Sequence, residues 1–227
     1  MYKVFIGVGH GGTDPGAVAN NLKEKDLTLQ IALEAKKILL EHNINVLMSR
    51  EKDEDDTVQS EVKEENTFNS DIAVDIHINA GGGDGAEVYY HSLGGRSKIL
   101  ATNINNEIIK LGQNSRGIKT RISEKTGKDY YMFIRETKGS AVIVECAFID
   151  NLNDIKIIDE LSEQKSFGKA IAFGILETLN IKYNWNDDDT SISYKVICGS
   201  FKDKQNAEKQ VLLLKKLGVD SFIQNSN

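Results

Sequence analysis

Apolar and polar positions along the chain switch between the two periods that distinguish strands from helices. Lys3–Val8 is a short apolar run that predicts a strand. Over Glu24–Glu41, Leu27, Ile31, Ala35, Ile38 and Leu39 share one face while Gln30, Glu34, Lys37 and Glu41 share the other, which predicts an amphipathic helix. Asn43 stops that helix, and Ile44–Met48 reads as the next strand. Glu51–Ser70 is heavily charged, with weak apolar spacing at Val58, Val62 and Phe68, and is expected to be a loop followed by an exposed helix. Strands are predicted at Asp71–Ile78 and Ala86–Tyr90, on either side of a Gly81-Gly82-Gly83 turn. Ser97–Leu111 carries one helical stripe, and the polar, glycine-interrupted segment Arg116–Asp129 is expected to be a loop over one face. Ser140–Phe148 is the most apolar strand, Asp150 and Asn151 can cap the segment after it, and Phe167–Leu179 closes the pattern with a helix.

Strands alternating with helices, several of them continuously apolar, predict an α/β fold: a mostly parallel twisted sheet with helices on both faces. Active sites of such sheets lie at the carboxyl ends of the strands. Asn184–Thr190 has the composition of a linker, and Tyr194–Gly199, Asp203–Leu217 and Asp220–Gln224 predict a small C-terminal βαβ unit. Alone, a unit of that size buries too little apolar surface to be stable. The domain reading is therefore a catalytic domain over residues 1–181, an acidic linker over 182–193, and the βαβ unit over 194–227.

Composition narrows the function. With 40% hydrophobic and 27% charged residues the chain is an ordinary globular protein. A net charge of −6 argues against a general nucleic-acid binder. No stretch approaches the roughly 20 apolar residues of a membrane span. Met1-Tyr2-Lys3 runs straight into the first strand, so no signal peptide is expected. Cys146 and Cys198 lie in separate apolar runs and are expected as buried free thiols.

One loop stands out. Val8-Gly9-His10-Gly11-Gly12-Thr13-Asp14-Pro15-Gly16-Ala17 holds the chain's one proline and one of its four histidines, directly after the first strand. A metal site and a plain surface turn account for it equally well. Gly7-x-Gly9-x-x-Gly12 also matches the dinucleotide-binding fingerprint. That fingerprint needs a helix opening at its third glycine to hold the pyrophosphate, and here no helical period begins before about Glu24. The nucleotide reading is rejected.

Three further residues fall where a cleft should form. Glu24 opens the first helix, His77 lies near the carboxyl end of a buried strand, and Glu145 sits inside Val142–Cys146. Two imidazoles and a carboxylate with one position open are a ligand set of catalytic zinc hydrolases. An ionised carboxylate in an apolar strand is costly unless something pairs with it. Each residue alone has a plainer account: Glu24 a helix-dipole partner, His77 a satisfied core histidine, Glu145 a strand-end ion pair. His42 and His91 are assigned to a helix end and a strand end. The joint placement of His10, Glu24, His77 and Glu145 at neighbouring strand ends favours a site.

The run Gly9-His10-Gly11-Gly12-x-Asp14-Pro15-Gly16-Ala17 followed by Glu24–Leu29 resembles the opening of the zinc-dependent N-acetylmuramoyl-L-alanine amidases, cell-wall amidases of the family 3 type. Asp75–Ala80, Gly85–Tyr90, Arg116–Lys119 and Val144–Asn151 continue the resemblance over about residues 3–180, in the family's order. It implies zinc held by His10, Glu24 and His77, with Glu145 as the catalytic acid and base. The chain departs from the family at Gly139-Ser140, where a proline is usual, at Glu61–Lys63, which lacks an arginine, and at Cys146. Tyr194–Phe201, Asn206–Glu208 and Leu217–Val219 resemble the first half of a sporulation-related repeat (SPOR), a peptidoglycan-binding module.

These resemblances imply hydrolysis of the amide between N-acetylmuramic acid and L-alanine, with peptidoglycan as partner and Zn2+ as cofactor. The alternatives are a zinc peptidase acting on the stem peptide and a catalytically idle wall-binding protein. Two settings fit a wall enzyme without a leader: a phage endolysin released by a holin, which is the preferred reading, and a mother-cell sporulation or autolytic amidase. Gly81–Gly85 and Arg116–Asp129 are expected to wall the substrate groove, whose binding residues the sequence leaves unknown. Pairing of two half-modules would make a homodimer through the tail.

Overall fold

A computed structural model describes residues 1–183, 199–216 and 223. The chain divides into two units, Met1–Tyr183 and Asn184–Asn227. In the first, β1 (Lys3–Val8) leads through a two-stranded hairpin, β2 (Val18–Ala19) and β3 (Leu22–Lys23), into α1 (Glu24–Glu41). Then come β4 (Asn45–Met48), α2 (Val58–Phe68), β5 (Ile72–Asn79), β6 (Ala86–Tyr90), α3 (Arg96–Ile109), β7 (Ser115–Lys119), α4 (Met132–Glu136), β8 (Ser140–Phe148), α5 (Leu152–Ile155) and α6 (Leu161–Thr178).

Six strands form one sheet in the order β4-β1-β5-β8-β6-β7. Every pairing is parallel except that of β6 with β8. The mostly parallel sheet is as the sequence predicts. The apolar strands carry β-branched residues because both sheet faces are covered. Val4, Ile6, Val8, Ile72, Val74, Ile76, Val142 and Val144 are all fully buried, and α1, α6 and α3 pack together over the sheet.

The opposite face is covered only in part. Phe5, Ala73, Ala141 and Ile143 pack there against Val62 of α2 and Phe133 and Ile134 around α4. Strand side chains alternate, so the same face continues toward the carboxyl ends as Asp75, His77, Glu145 and Glu87. Among the described residues no apolar helix covers that end, and its side chains are polar.

Two expectations need correction. The segment Arg116–Asp129 is not all loop: its start lies in β7, paired parallel to β6, with Gly117 at φ +83° where the register between the two strands shifts. From Ile122 to Asp129 it doubles back through an isolated antiparallel bridge. The helix after Glu51 is not wholly exposed either, since Glu61, Val62 and Glu65 of α2 are buried. Glu65 satisfies the backbone N–H groups of Lys138 and Gly139 and the Ser70 hydroxyl. These polar partners add to the Val58, Val62 and Phe68 stripe, which packs α2 against the sheet.

Asn43 ends α1 in the left-handed conformation, and the N–H of Ile44 bonds back to Leu39. Cys146 is a buried free thiol. Cys198 lies outside the described residues. In the second unit the structure describes a helix, α7 (Lys204–Lys216). The strands expected at Tyr194–Gly199 and Asp220–Gln224 fall almost wholly outside the described residues. Among the described residues no helix is long and apolar enough to cross a membrane.

Candidate active site

The loop after β1 never starts a helix at Gly12. Gly11 pairs with Asp14 in an isolated bridge, the chain turns through the β2–β3 hairpin, and α1 opens at Glu24. His10 has φ +63°, a left-handed backbone that only a few per cent of non-glycine residues adopt. Such conformations persist where surrounding contacts over-determine them. Here the contacts come from Arg50, which is 2% exposed. Its guanidinium donates to the carbonyls of Val8 (3.1 Å), Gly9 (3.3 Å), Lys25 (2.8 Å) and Lys52 (3.2 Å) and to Thr28 Oγ1 (3.2 Å). Replacing Arg50 with Met removes the guanidinium donor from the Val8 and Lys52 carbonyls and leaves those of Gly9 and Lys25 to the Thr28 hydroxyl, and we expect a loss of about 2 kcal/mol in urea unfolding, given roughly 1–3 kcal/mol per unsatisfied group. A variant as stable as the parent would remove this role for Arg50.

The loop carries His10 onto Glu24. His10 Nε2 lies 3.2 Å from Glu24 Oε2, and His77 Nδ1 lies 3.0 Å from Glu24 Oε1. One ligand atom from each of His10, Glu24 and His77 fits within 4.8 Å of the others, the one such metal-capable cluster among the described residues. The two imidazole rings meet edge to face at 5.3 Å. Two glycines make the approach possible. A Cβ on Gly9 would sit 2.5 Å from the His77 ring, and one on Gly16 would sit 2.6 Å from the His10 ring and 2.7 Å from Glu24 Oε2.

Glu24 is more than a helix-dipole partner. It is 4% exposed, and its carboxylate also accepts from the N–H groups of Ala17 (2.9 Å) and Ile78 (3.0 Å). Burial works to raise its pKa, but the His10 and His77 hydrogen bonds outweigh it and hold the carboxyl below its ordinary range.

Each imidazole presents its other nitrogen to a second carboxylate. His10 Nδ1 is 2.8 Å from Asp14 Oδ2, and His77 Nε2 is 3.2 Å from Asp75 Oδ2. Burial works against a charged His77, yet Asp75, Glu24 and Glu145 raise its pKa well above the usual imidazole value. The Glu24 hydrogen bond, joined by Asp14, raises His10 against burial. The pocket therefore concentrates negative charge around two nitrogens, a field suited to a cation.

Glu145 stands beside this cluster. Its Cα is in register with that of His77 across the parallel β5–β8 pair and with that of Glu87 across the antiparallel β6–β8 pair. The register shifts just beyond, between His77 and Asn79, so a bulge closes the row. Burial raises the Glu145 pKa to about 7; the positive side of His77 opposes this, and the charges of Glu24, Asp75 and Glu87 add to it. Its Oε2 is buried with no protein hydrogen-bond partner.

All four residues singled out in the sequence thus converge. His42, whose Nδ1 lies 2.8 Å from the Ile38 carbonyl, and His91, whose Nε2 lies 3.4 Å from Asp129, lie outside the cluster. Sequence reasoning missed Asp14, Asp75 and Glu87 as partners. Asp14 falls in the His10 loop, Asp75 one strand period before His77, and Glu87 is a carboxylate in an apolar strand, the same signal that marked Glu145.

A His–Glu–His cluster at the carboxyl ends of an open α/β sheet, with an unpartnered carboxylate in the next strand, is the arrangement that metal-assisted hydrolases use. The sequence profile Amidase_3, described as N-acetylmuramoyl-L-alanine amidase, matches residues 4–177, and the chain belongs to this family. It is 34% identical over 227 residues to the sporulation-specific N-acetylmuramoyl-L-alanine amidase of Bacillus subtilis (strain 168), covering 98% of this chain and 84% of that protein. It is 33% identical to the endolysin of Bacillus phage SPP1, covering 79% of this chain and 66% of the endolysin. The catalytic domain of CwlV, N-acetylmuramoyl-L-alanine amidase from Bacillus (Paenibacillus) polymyxa var. colistinus, superposes with a TM-score of 0.72 at 28% identity, covering 80% of this chain and 100% of that domain. The activity is hydrolysis of the N-acetylmuramoyl–L-alanine amide of peptidoglycan.

Proposed function

We propose that this hydrolysis runs with a zinc ion held by His10, Glu24 and His77 and with Glu145 as the catalytic acid and base. The register pairing of Glu145 with His77, which sets an orphaned buried carboxylate oxygen beside the cluster, is the observation that carries the reading. The donor set fits: two nitrogens and a carboxylate oxygen converge, each imidazole is backed by a second carboxylate, and the field around them is acidic. Bound zinc supplies Lewis-acid chemistry, acidifying water and polarising an amide carbonyl.

The chain's own groups do the rest. Glu145 accepts a proton from the attacking water and passes it to the L-alanine amine as the C–N bond breaks. A carboxyl whose pKa is raised to about 7 suits both halves of that transfer near neutral pH. Asp14 and Asp75 fix which imidazole nitrogen faces Glu24 and hold each ring in place. Replacing Asp75 with Asn should weaken zinc binding by about 10- to 100-fold in competition against a chromophoric chelator. Unchanged affinity would show that Asp75 does not orient His77.

Digestion of purified peptidoglycan tests the whole reading. New L-alanine amino termini, abolished by chelator and restored by zinc, are expected. Release of D-amino acids would mark a peptidase, and pull-down without loss of turbidity a wall binder.

The same reading places the catalytic domain at 1–181 and, beyond an acidic linker, a SPOR-like unit at 194–227 that holds peptidoglycan or pairs two chains. One observation favours a sporulation or autolytic setting over the endolysin one. The similarity to the sporulation-specific amidase runs over 98% of the chain, whereas that to the phage endolysin runs over 79%.

A further inference from the structure

Beside Glu145, the row across the sheet ends in a second buried carboxylate with an unusual set of partners. The Glu87 side chain is 5% exposed. Its Oε1 accepts from Asn79 Nδ2 (3.1 Å) and from the Tyr89 hydroxyl (2.8 Å), and its Oε2 accepts from Arg116 Nε (2.7 Å) and Lys119 Nζ (2.5 Å). Four donors use up this carboxylate. The hydrogen bonds of Arg116 and Lys119 hold its pKa down although burial works to raise it.

Two cations on one carboxylate leave a positive charge over. Their side chains are 38% and 33% exposed, so the charge faces solvent. The Arg116 guanidinium is also fixed in direction, because its Cζ lies 5.0 Å over the Phe148 ring while Nε is tied to Glu87. Among the described residues its two terminal nitrogens have no acceptor, and those nitrogens form the face that matches a carboxylate. An ion pair built only to satisfy Glu87 needs one cation and no such anchoring. This arrangement is a pre-oriented anion fork.

Its distance from the reacting groups sets what it can bind. Neighbouring strands lie about 4.8 Å apart, so the Glu87 Cα is about 5 Å from that of Glu145 and about 10 Å from that of His77. An extended peptide advances roughly 3.3–3.6 Å per residue. A substrate whose scissile amide sits between His77 and Glu145, with its peptide running toward Glu87, carries its next residue or two to the fork. We propose that Arg116 and Lys119, held by Glu87, bind the free carboxylate of the stem-peptide residue that follows the L-alanine, making the enzyme selective for stem peptides with that group unamidated. This rests on the reading that His77 and Glu145 flank the scissile amide.

The test uses the full chain with zinc and two soluble substrates that differ in one group. These are N-acetylmuramoyl-L-alanyl-D-glutamate γ-methylamide with its α-carboxyl free, and the same compound with that carboxyl amidated. The parent enzyme should favour the acid by about tenfold in kcat/KM, chiefly through KM, since a site built to hydrogen-bond a group discriminates against the analogue lacking it. In Arg116→Gln the acid-to-amide ratio should fall toward one, Arg116→Lys should restore part of it, and Lys119→Gln should lower it. A parent ratio near one, or a ratio unchanged in both Arg116→Gln and Lys119→Gln, would overturn the proposal. If Arg116→Gln does not fold, the parent ratio, its decline with added salt and the Lys119→Gln ratio decide it. Failure of the Glu145 reading looks different: Glu145→Gln would then turn over both substrates normally, whatever their ratio.

Discussion

Glu145→Gln is expected to lower turnover on peptidoglycan by about 10³-fold while zinc stays bound, since a positioned general acid–base contributes roughly 10²–10⁴-fold. The substitution keeps the size of the side chain and its place in the register beside His77. It removes the one property the mechanism uses, the ability to take and return a proton. None of the hydrogen bonds that hold His10, Glu24 and His77 involves Glu145, so zinc stoichiometry measured by elemental analysis should match the parent. Near-normal turnover with zinc present would remove Glu145 from the chemistry. Loss of zinc along with activity would instead make it a structural neighbour of the cluster.

Glu24→Ala carries the other large effect. Glu24 bridges the two histidines and ties the Ala17 and Ile78 backbone into the site. Without it, zinc binding and activity should both disappear. The parent should gain thermal stability on adding zinc, about 2.7 kcal/mol at 100 times the dissociation constant, and the variant should gain none. A differential scanning experiment with and without zinc reads this directly, and an equal zinc-induced shift in both proteins would exclude Glu24 as a ligand. The apo variant should itself be less stable, because the buried N–H of Ile78 and the part-buried N–H of Ala17 lose their acceptor, the buried one at a cost of roughly 1–3 kcal/mol.

Much of the fold is legible along the chain where local pattern and burial agree. The bounds of β1, α1, β6 and β8 match the predicted ones, because strand and helix periods are strong where one face or both are fully apolar. Legibility fails where polar contacts made at a distance decide the outcome. Glu61 and Glu65 read as solvated charges, yet Ser49, Ser70 and the backbone at 138–139 bury them. The start of Arg116–Asp129 reads as loop, yet β6 recruits it as an edge strand. Arg50 gives no sign in the sequence that it will sit beneath the His10 loop.

The same division runs through the site. His10, Glu24, His77 and Glu145 are recognisable as a glycine-flanked histidine, a helix-opening acid and two polar residues near the ends of apolar strands. The sequence by itself determines which groups are available, because an ionisable residue in an apolar strand must be paired or used. It leaves open which atoms meet. Only the tertiary structure decides that Glu24 touches both imidazoles, that Asp14 and Asp75 turn their free nitrogens, and that Glu145 lies in register with His77 on the neighbouring strand. The reason is geometric: these contacts span up to 68 residues and depend on which strands become neighbours, which the side-chain periodicity of each strand does not encode.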